Sequence, residues 1–374
     1  MNRKLLFGCL ILFFATACHA APPLVYFGDT LQWNNDWIKR QCGTLDIKEN
    51  IIEVSGIACS RVTPGYIWMQ SDETDEDTNT YIIATDEEGA KRACKVNFNK
   101  IYRWDWEDMS GGVYEGKDYL FIGAFGDNDE TDGRYCIIYF EEPAIDPVNT
   151  PEVTVTAHRI KYVYPDGKKH NAEALMYDNV DQVIYVITKV YYDVCQVFSI
   201  PFRLDYGDEE QTLTYVCDLG VRSDLGKSDK NQPYKGFHLV TAADISPDGK
   251  YILIKNHNNI VSSYCWVLLF TREEGESVAE TLIRQRHPEP LRCYNVTEWQ
   301  GEAICWLDDN TFYTTSDSDD GNPPIYKYTK KSNAAVETVR SDDTQSRKSL
   351  VMIDGHLLIR SNDALYTMEG QKVK

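Results

Sequence analysis

Acidic side chains recur at one place in a repeated pattern: Glu107, Asp108, Glu173, Asp244 and Glu302 each stand where a polar step gives way to an aliphatic run. Carboxylates brought together from separate segments suit Ca2+, a hard cation that takes six to eight oxygen ligands. Asp127, in the loop Phe125-Gly126-Asp127-Asn128, adds a further acid, so the expected metal set is Glu107, Asp108, Asp127, Glu173 and Glu302. Lys189 and His257 each follow a later aliphatic run, where they could meet an anion or serve as acid and base. The same types also do purely structural work, as strand caps and as acceptors for backbone amides and Trp N–H groups, and lone surface Lys and His are mostly solvated. Both readings stand at this point. No Gly-x-Ser-x-Gly elbow occurs, no phosphate-cradling glycine loop and no Cys-x-x-Cys zinc pair. The acidic runs from Asp72 and from Asp317 lack the glycine and terminal Glu of a Ca2+-binding hand and read as solvated loops.

What must position these acids is a set of short strands. Aromatic residues make up 12% of the 374-residue chain, with 24 Tyr and 8 Trp, which favours strand over helix. Five units open at Ser55-Gly56-Ile57-Ala58, Glu107-Asp108-Met109-Ser110, Ala172-Glu173-Ala174-Leu175, Ala242-Ala243-Asp244-Ile245 and Gly301-Glu302-Ala303-Ile304, and a weaker sixth at Ser349-Leu350-Val351-Met352. Each carries three or four short runs divided by Gly, Asp, Asn or Pro turns. Sheets of this size bury both faces when they stack radially about an axis. The expectation is therefore an all-β, six-bladed β-propeller spanning 21–374, closed by an N-terminal strand at Ile51–Val54 or just upstream. Two stacked sandwiches are the structural alternative. In a propeller the first strand of each blade lines the channel. Glu107, Asp108, Glu173, Lys189, Asp244, His257 and Glu302 then gather at one mouth, with Asp72, Asn128, Asn256 and Asp317 in neighbouring loops.

The first 20 residues read as a cleaved signal peptide: a basic Met1–Lys4, an apolar Leu5–Ala17 and a small-x-small site at Cys18-His19-Ala20. The apolar stretch is shorter than the ~20 residues of a membrane span, so the expectation is a secreted protein, with a lipid-anchored Cys18 as the alternative. A charge of 38 Lys+Arg against 58 Asp+Glu argues against nucleic acid as a partner. Nine cysteines follow the leader, an odd number that leaves at least one unpaired. Cys94, Cys136, Cys195 and Cys265 open the third strands and stand too far apart to bridge one another. Cys195 with Cys217 and Cys265 with Cys293 are candidate pairs between third and fourth strands. Asn295-Val296-Thr297 is an acceptor for glycosylation in a eukaryotic secretory pathway.

The motifs Asp105-Trp106-Glu107-Asp108-Met109, Ala172-Glu173-Ala174-Leu175, Asp244-Ile245-Ser246-Pro247-Asp248-Gly249 and Gly301-Glu302-Ala303-Ile304 resemble the blade openings of a family of secreted, mostly uncharacterised β-propellers. They are similar at greater distance to β-propeller phytases and phytase-like esterases. The resemblance spans about Ser55 to Tyr328 and departs at Ala124, where relatives often carry Asp. It implies a Ca2+ cluster that could hold a phosphate and activate water. Two functions are thus expected: a binding module for a small molecule or an extracellular protein, with a Ca2+ site at the channel mouth; or a Ca2+-dependent phosphoester or ester hydrolase. A structural extracellular protein is a third.

Overall fold

The computed structural model describes residues 24–27, 36–46, 53–72, 81–99, 101, 105–190, 195–221, 239–257, 265–284, 289–292, 300–317, 322–331, 348–353, 356–361, 364–366 and 372–373. Alternating aliphatic and aromatic runs form antiparallel sheets, and turn residues cut them at every expected break. The chain divides into two compact units, 1–329 and 330–374.

The larger unit is a ring of five blades. Their innermost strands are Val54–Cys59, Trp106–Tyr114, Ala172–Asp178, Leu239–Ile245 and Ala303–Asp308. Each touches the next, and the last touches the first. Each blade then steps outward through antiparallel neighbours, as in Val54–Cys59, Tyr66–Ser71, Tyr81–Asp86 and Arg92–Phe98. Five apolar clusters fill the five spaces between blades. One of them joins the fifth blade to the first through Ile57, Ile67, Met69 and Ile83 against Ala303, Cys305, Tyr313 and Ile325. Burying both faces of every sheet in this way is what an isolated four-stranded sheet cannot do.

The expected six blades are thus corrected to five. The runs read as a sixth, with strands Lys348–Ile353, His356–Ser361 and Ala364–Tyr366, form a separate four-stranded sheet with Lys372–Val373 in the smaller unit. N-terminal closure does occur, but with Trp37–Thr44, which supplies the outer strand of the fifth blade beside Pro324–Lys330. Val54 instead begins the first inner strand. Trp37 anchors the closing strand by packing edge-on against Trp306 at 5.7 Å and against Phe312 at 5.1 Å. Three blades also gain a fifth, parallel strand at the rim: Glu152–Val155 on the first, Gln211–Thr212 on the second and Leu24–Phe27 on the third. These additions cover edges that would otherwise template aggregation. The one helix among the described residues, Val278–Arg284, starts with a capping box in which Ser277 and Glu280 exchange side-chain-to-backbone bonds of 2.8 and 3.2 Å.

Of the cysteine pairs proposed, Cys195 and Cys217 are separate thiols. Cys217 stands opposite Val197, two positions along from Cys195, so the two side chains are offset across the ladder. Cys94 and Cys136 are also free thiols, while Cys293, the proposed partner of Cys265, and Asn295 lie outside the described residues.

Inner strands of neighbouring blades do not share a ladder, so side chains join them. Asp108 accepts from the backbone N–H of Met109 at 2.8 Å on its own strand, of Leu175 at 2.8 Å on the third blade and of Ala243 at 3.1 Å on the fourth. Asp244 accepts from Trp306 N–H at 2.8 Å on the fifth blade and from the Ser110 hydroxyl at 3.1 Å on the second. Gln70 reaches from the first blade and donates to the Glu107 carbonyl at 2.7 Å. Asp108→Ala strands three buried N–H groups at about 1–3 kcal/mol each. It should cost well over 3 kcal/mol in urea unfolding, whereas Asp108→Asn, which strands one, should cost about a third as much.

Candidate functional site

Bulges at the start of the inner strands aim the candidate side chains. Register slips between Val54 and Gly56, Trp106 and Met109, Ala172 and Ala174, and Val240 and Ala242 leave Ser55, Glu107-Asp108, Glu173 and Thr241 unpaired on the ladder. An extra residue of this kind turns a side chain out of the pleat. In the second blade it gives Glu107 and Asp108 different destinations. Glu302 stands just ahead of the fifth inner strand and needs no bulge.

At the mouth where these strands begin, Glu107, Glu173, Glu302 and Lys189 lie together, 4–8% exposed. Asp72, Asp105 and Asp317 adjoin them. Lys189 forms a buried ion pair with Glu173. Asn171 steadies Glu173 with a bond of 3.2 Å and accepts from the Asp127 N–H at 2.8 Å. Gly126 is what lets the acids close in: a Cβ there would lie 2.1 Å from Glu107 Oε1 and 2.5 Å from Asp105 Oδ2. Asp317 is held by Gln300 at 2.7 Å. Within this cluster Gln70 Oε1, Asp72 Oδ1 and Glu302 Oε2 are closed off from solvent and find no donor among the described residues.

The electrostatics follow from crowding. Burial, then Glu173, Asp105 and Asp72, push the Glu107 carboxyl well above the usual range. Burial raises Glu302 likewise; Lys189 opposes the rise, and Asp72 and Glu173 add to it. Asp72 is pushed up to about 8 by burial, Asp317 and Glu173. Burial works against the Lys189 ammonium, but Glu173, Glu302 and Glu107 more than reverse this and hold its proton tightly. One ammonium thus serves as counter-ion to several carboxylates, and the shortfall is met by protons.

Other expected members sit elsewhere. Asp108 is in the channel wall as a strand latch. Asp244 lies near the far end of its strand, beside a cavity of about 330 Å3 lined by Cys59, Ser60, Arg61, Asp244, Trp306 and Asp309. Asp127 organises its own loop, accepting from the N–H groups of Thr131 at 2.8 Å and of Asp132 and Gly133 at 3.1 Å, and from the Tyr135 hydroxyl at 2.7 Å. The backbone of His257 pairs with Leu239 and Cys265 at the end of its strand. Gln70, Asp105, Asn171 and Lys255 were missed. Lys255 left a signal, as a charge directly following the run Tyr251-Ile252-Leu253-Ile254 within the same strand; it is fully buried and donates to the carbonyls of Thr315 at 2.9 Å and Ala303 at 3.3 Å. Among the described residues no three metal-ligating side chains already stand in ion-holding positions.

No protein-family model and no curated protein matches this chain. Several solved structures superpose on it at low similarity. A PQQ-bound aldose sugar dehydrogenase from Streptomyces coelicolor superposes at a TM-score of 0.40 and 7% identity, over 80% of this chain and 99% of its own. A gluconolactonase from Xanthomonas campestris gives 0.40 and 8%, over 83% and 95%. A putative 6-phosphogluconolactonase from Bacteroides uniformis gives 0.33 and 10%, over 85% and 82%. Likeness at this level assigns no chemistry to this chain.

Two expectations follow. Lys189→Met removes the counter-ion of a buried pair and should cost about 3–5 kcal/mol at neutral pH. The loss should shrink at pH 5, where the freed carboxylates can be protonated, as pH-dependent urea titrations would show. The second concerns Asp244, which burial pushes up to about 7 while the Trp306 N–H pulls it down. With the folded value above an unfolded value near 4, the native state binds the extra proton between these limits, so stability falls as pH rises from about 4 to about 7. Asp244→Asn removes that component. The stability difference, variant minus wild type, should therefore increase across this window in thermal melts.

Proposed function

We propose that this protein is a binding propeller that takes up a cationic group, Ca2+ being the best-suited ion, at the acidic mouth of its channel. That mouth then offers itself to a small polar ligand or an extracellular protein. The observation that carries the reading is the set of unpartnered, solvent-excluded oxygens of Gln70, Asp72 and Glu302 among more carboxylates than Lys189 can balance. Buried polar atoms without partners cost about 1–3 kcal/mol each, and a hard cation with oxygen ligands would relieve several at once. Carboxylate and amide oxygens are the donors Ca2+ prefers. Uptake would require Asp72 and Glu302 to draw together around the ion or to share it through water, with Glu107 and Glu173 in support. The basic and apolar start, Met1–Ala20, supports a location outside the cytoplasm, where Ca2+ is abundant, and release after Ala20 in preference to a lipid on Cys18.

Phosphoester hydrolysis of the phytase-like kind is the weaker reading, because Lys189, the cation that would meet a phosphate, already serves Glu173. Calorimetric titration of chelator-treated protein with Ca2+ tests the proposal. One binding event and an upward thermal shift are expected, with affinity reduced about tenfold or more in Glu302→Gln and Asp72→Asn. No heat and no thermal shift at millimolar Ca2+ would sink it. Turnover of phosphate esters by the Ca2+-loaded protein, lost in Glu107→Gln and Glu173→Gln, would shift the reading to hydrolysis.

A further inference from the structure

We propose that Cys59 and Cys305 are a disulfide-forming pair that locks the seam between the first and fifth blades. Cys59 ends the first inner strand and Cys305 lies within the fifth. The two strands pack side by side without sharing a ladder. Their sulfur atoms are 3.4 Å apart, in contact, on chain positions 246 residues distant. Both side chains are buried, Cys59 at 7% and Cys305 at 1% exposure, within the apolar cluster that closes the ring. Closing the pair needs only a small approach of the two sulfurs to the ~2.05 Å of a bond.

The seam is where the ring is otherwise held only by non-covalent means at its centre. At the rim the closing strand Trp37–Thr44 ties it, with Thr44 N–H donating to the Glu88 carbonyl at 3.0 Å and Leu45 N–H to that of Pro323 at 2.8 Å. Glu87 of the first blade accepts from the Tyr313 hydroxyl and the Lys327 ammonium of the fifth, both at 2.8 Å. A Cys59–Cys305 bond would place a covalent tie at the axis to match these at the rim.

The route in is the 330 Å3 cavity at the far mouth, which Cys59 lines and Cys305 does not. A small-molecule disulfide therefore meets Cys59 first. The Cys59 thiolate attacks one sulfur of that disulfide, whose other half leaves as a thiolate with the bonding electron pair and takes up a proton. Cys305, giving its proton to the second leaving thiolate, then attacks the Cys59 sulfur. Two S–H bonds are lost and one S–S bond is formed, and two electrons and two protons end on the small molecule, now two thiols. Burial raises the Cys305 thiol, which makes the second step the slower one.

The test uses the full chain, incubated with oxidised glutathione, then denatured without reductant, alkylated and digested. The expected product is a Cys59–Cys305 cross-linked peptide, with an intact mass about 2 Da lower. A rise in Tm of roughly 5–15 °C is expected from closing so long a loop. Reductant should reverse it and Cys59→Ser should abolish it. Alkylation of both cysteines, or a glutathione adduct that stays on Cys59 without passing to Cys305, would overturn the proposal, and neither outcome depends on a variant folding.

Discussion

A narrow propeller channel confronts each innermost strand with one constraint: the strand has a partner on one side only, and the backbone N–H groups on its other side face a space closed to water. Buried N–H groups must be paired. Asp108 answers for three of them at once, from Met109, Leu175 and Ala243, and Asp244 takes Trp306 N–H together with the Ser110 hydroxyl, which itself accepts from Tyr177 N–H at 3.2 Å. These bonds run from blade to blade where no sheet ladder can. The apolar clusters between blades supply most of the burial, at about 1.5–3 kcal/mol for each large side chain, but they are non-directional. The acids at the axis fix how the five sheets are set against each other.

Adjacent acids have opposite fates for a local reason. The bulge in the second inner strand sends Asp108 toward backbone donors in the wall and Glu107 toward the mouth, where it meets other carboxylates instead. Burial pushes both carboxyls up, but at Asp108 the three backbone donors pull against the rise, whereas at Glu107 Glu173, Asp105 and Asp72 add to it. The first is a structural element, and the second belongs to a crowded carboxylate cluster balanced by protons and the single ammonium of Lys189. Lys255 extends the pattern, spending its donors on the carbonyls of Ala303 and Thr315 and so setting the strand that follows Glu302.

The seam between the first and last blades differs from the other four because chain continuity does less there. It draws on the closing strand, on Glu87 as a shared acceptor, on the packing of Trp37 against Trp306 and Phe312, and on the juxtaposed thiols of Cys59 and Cys305. Strands donated by one blade to the rim of its neighbour, such as Glu152–Val155, serve the same end elsewhere by leaving fewer edges bare.

The period and turn chemistry of the sequence determined the strands, their grouping into sheets and the five inner strands, because alternation of apolar residues and Gly/Asp/Asn/Pro turns are local properties. They also placed Glu107, Glu173, Lys189 and Glu302 at one end, since equivalent positions in repeated units must lie at equivalent heights. Tertiary structure alone decided the number of blades in the ring. A sheet-forming run such as Ser349–Met352 has the same local pattern whether or not it joins, and only the seating of Trp37–Thr44 beside Pro324–Lys330 shows that five close the circle. It alone separated Asp108 and Asp244 from the mouth acids: the bulge in the second blade turns Asp108 away from Glu107, and the bulge of the fourth blade falls at Thr241, which leaves Asp244 near the far end of its strand. And it alone brought Cys59 to Cys305, a contact that spans 246 residues and exists only once the first and last blades meet.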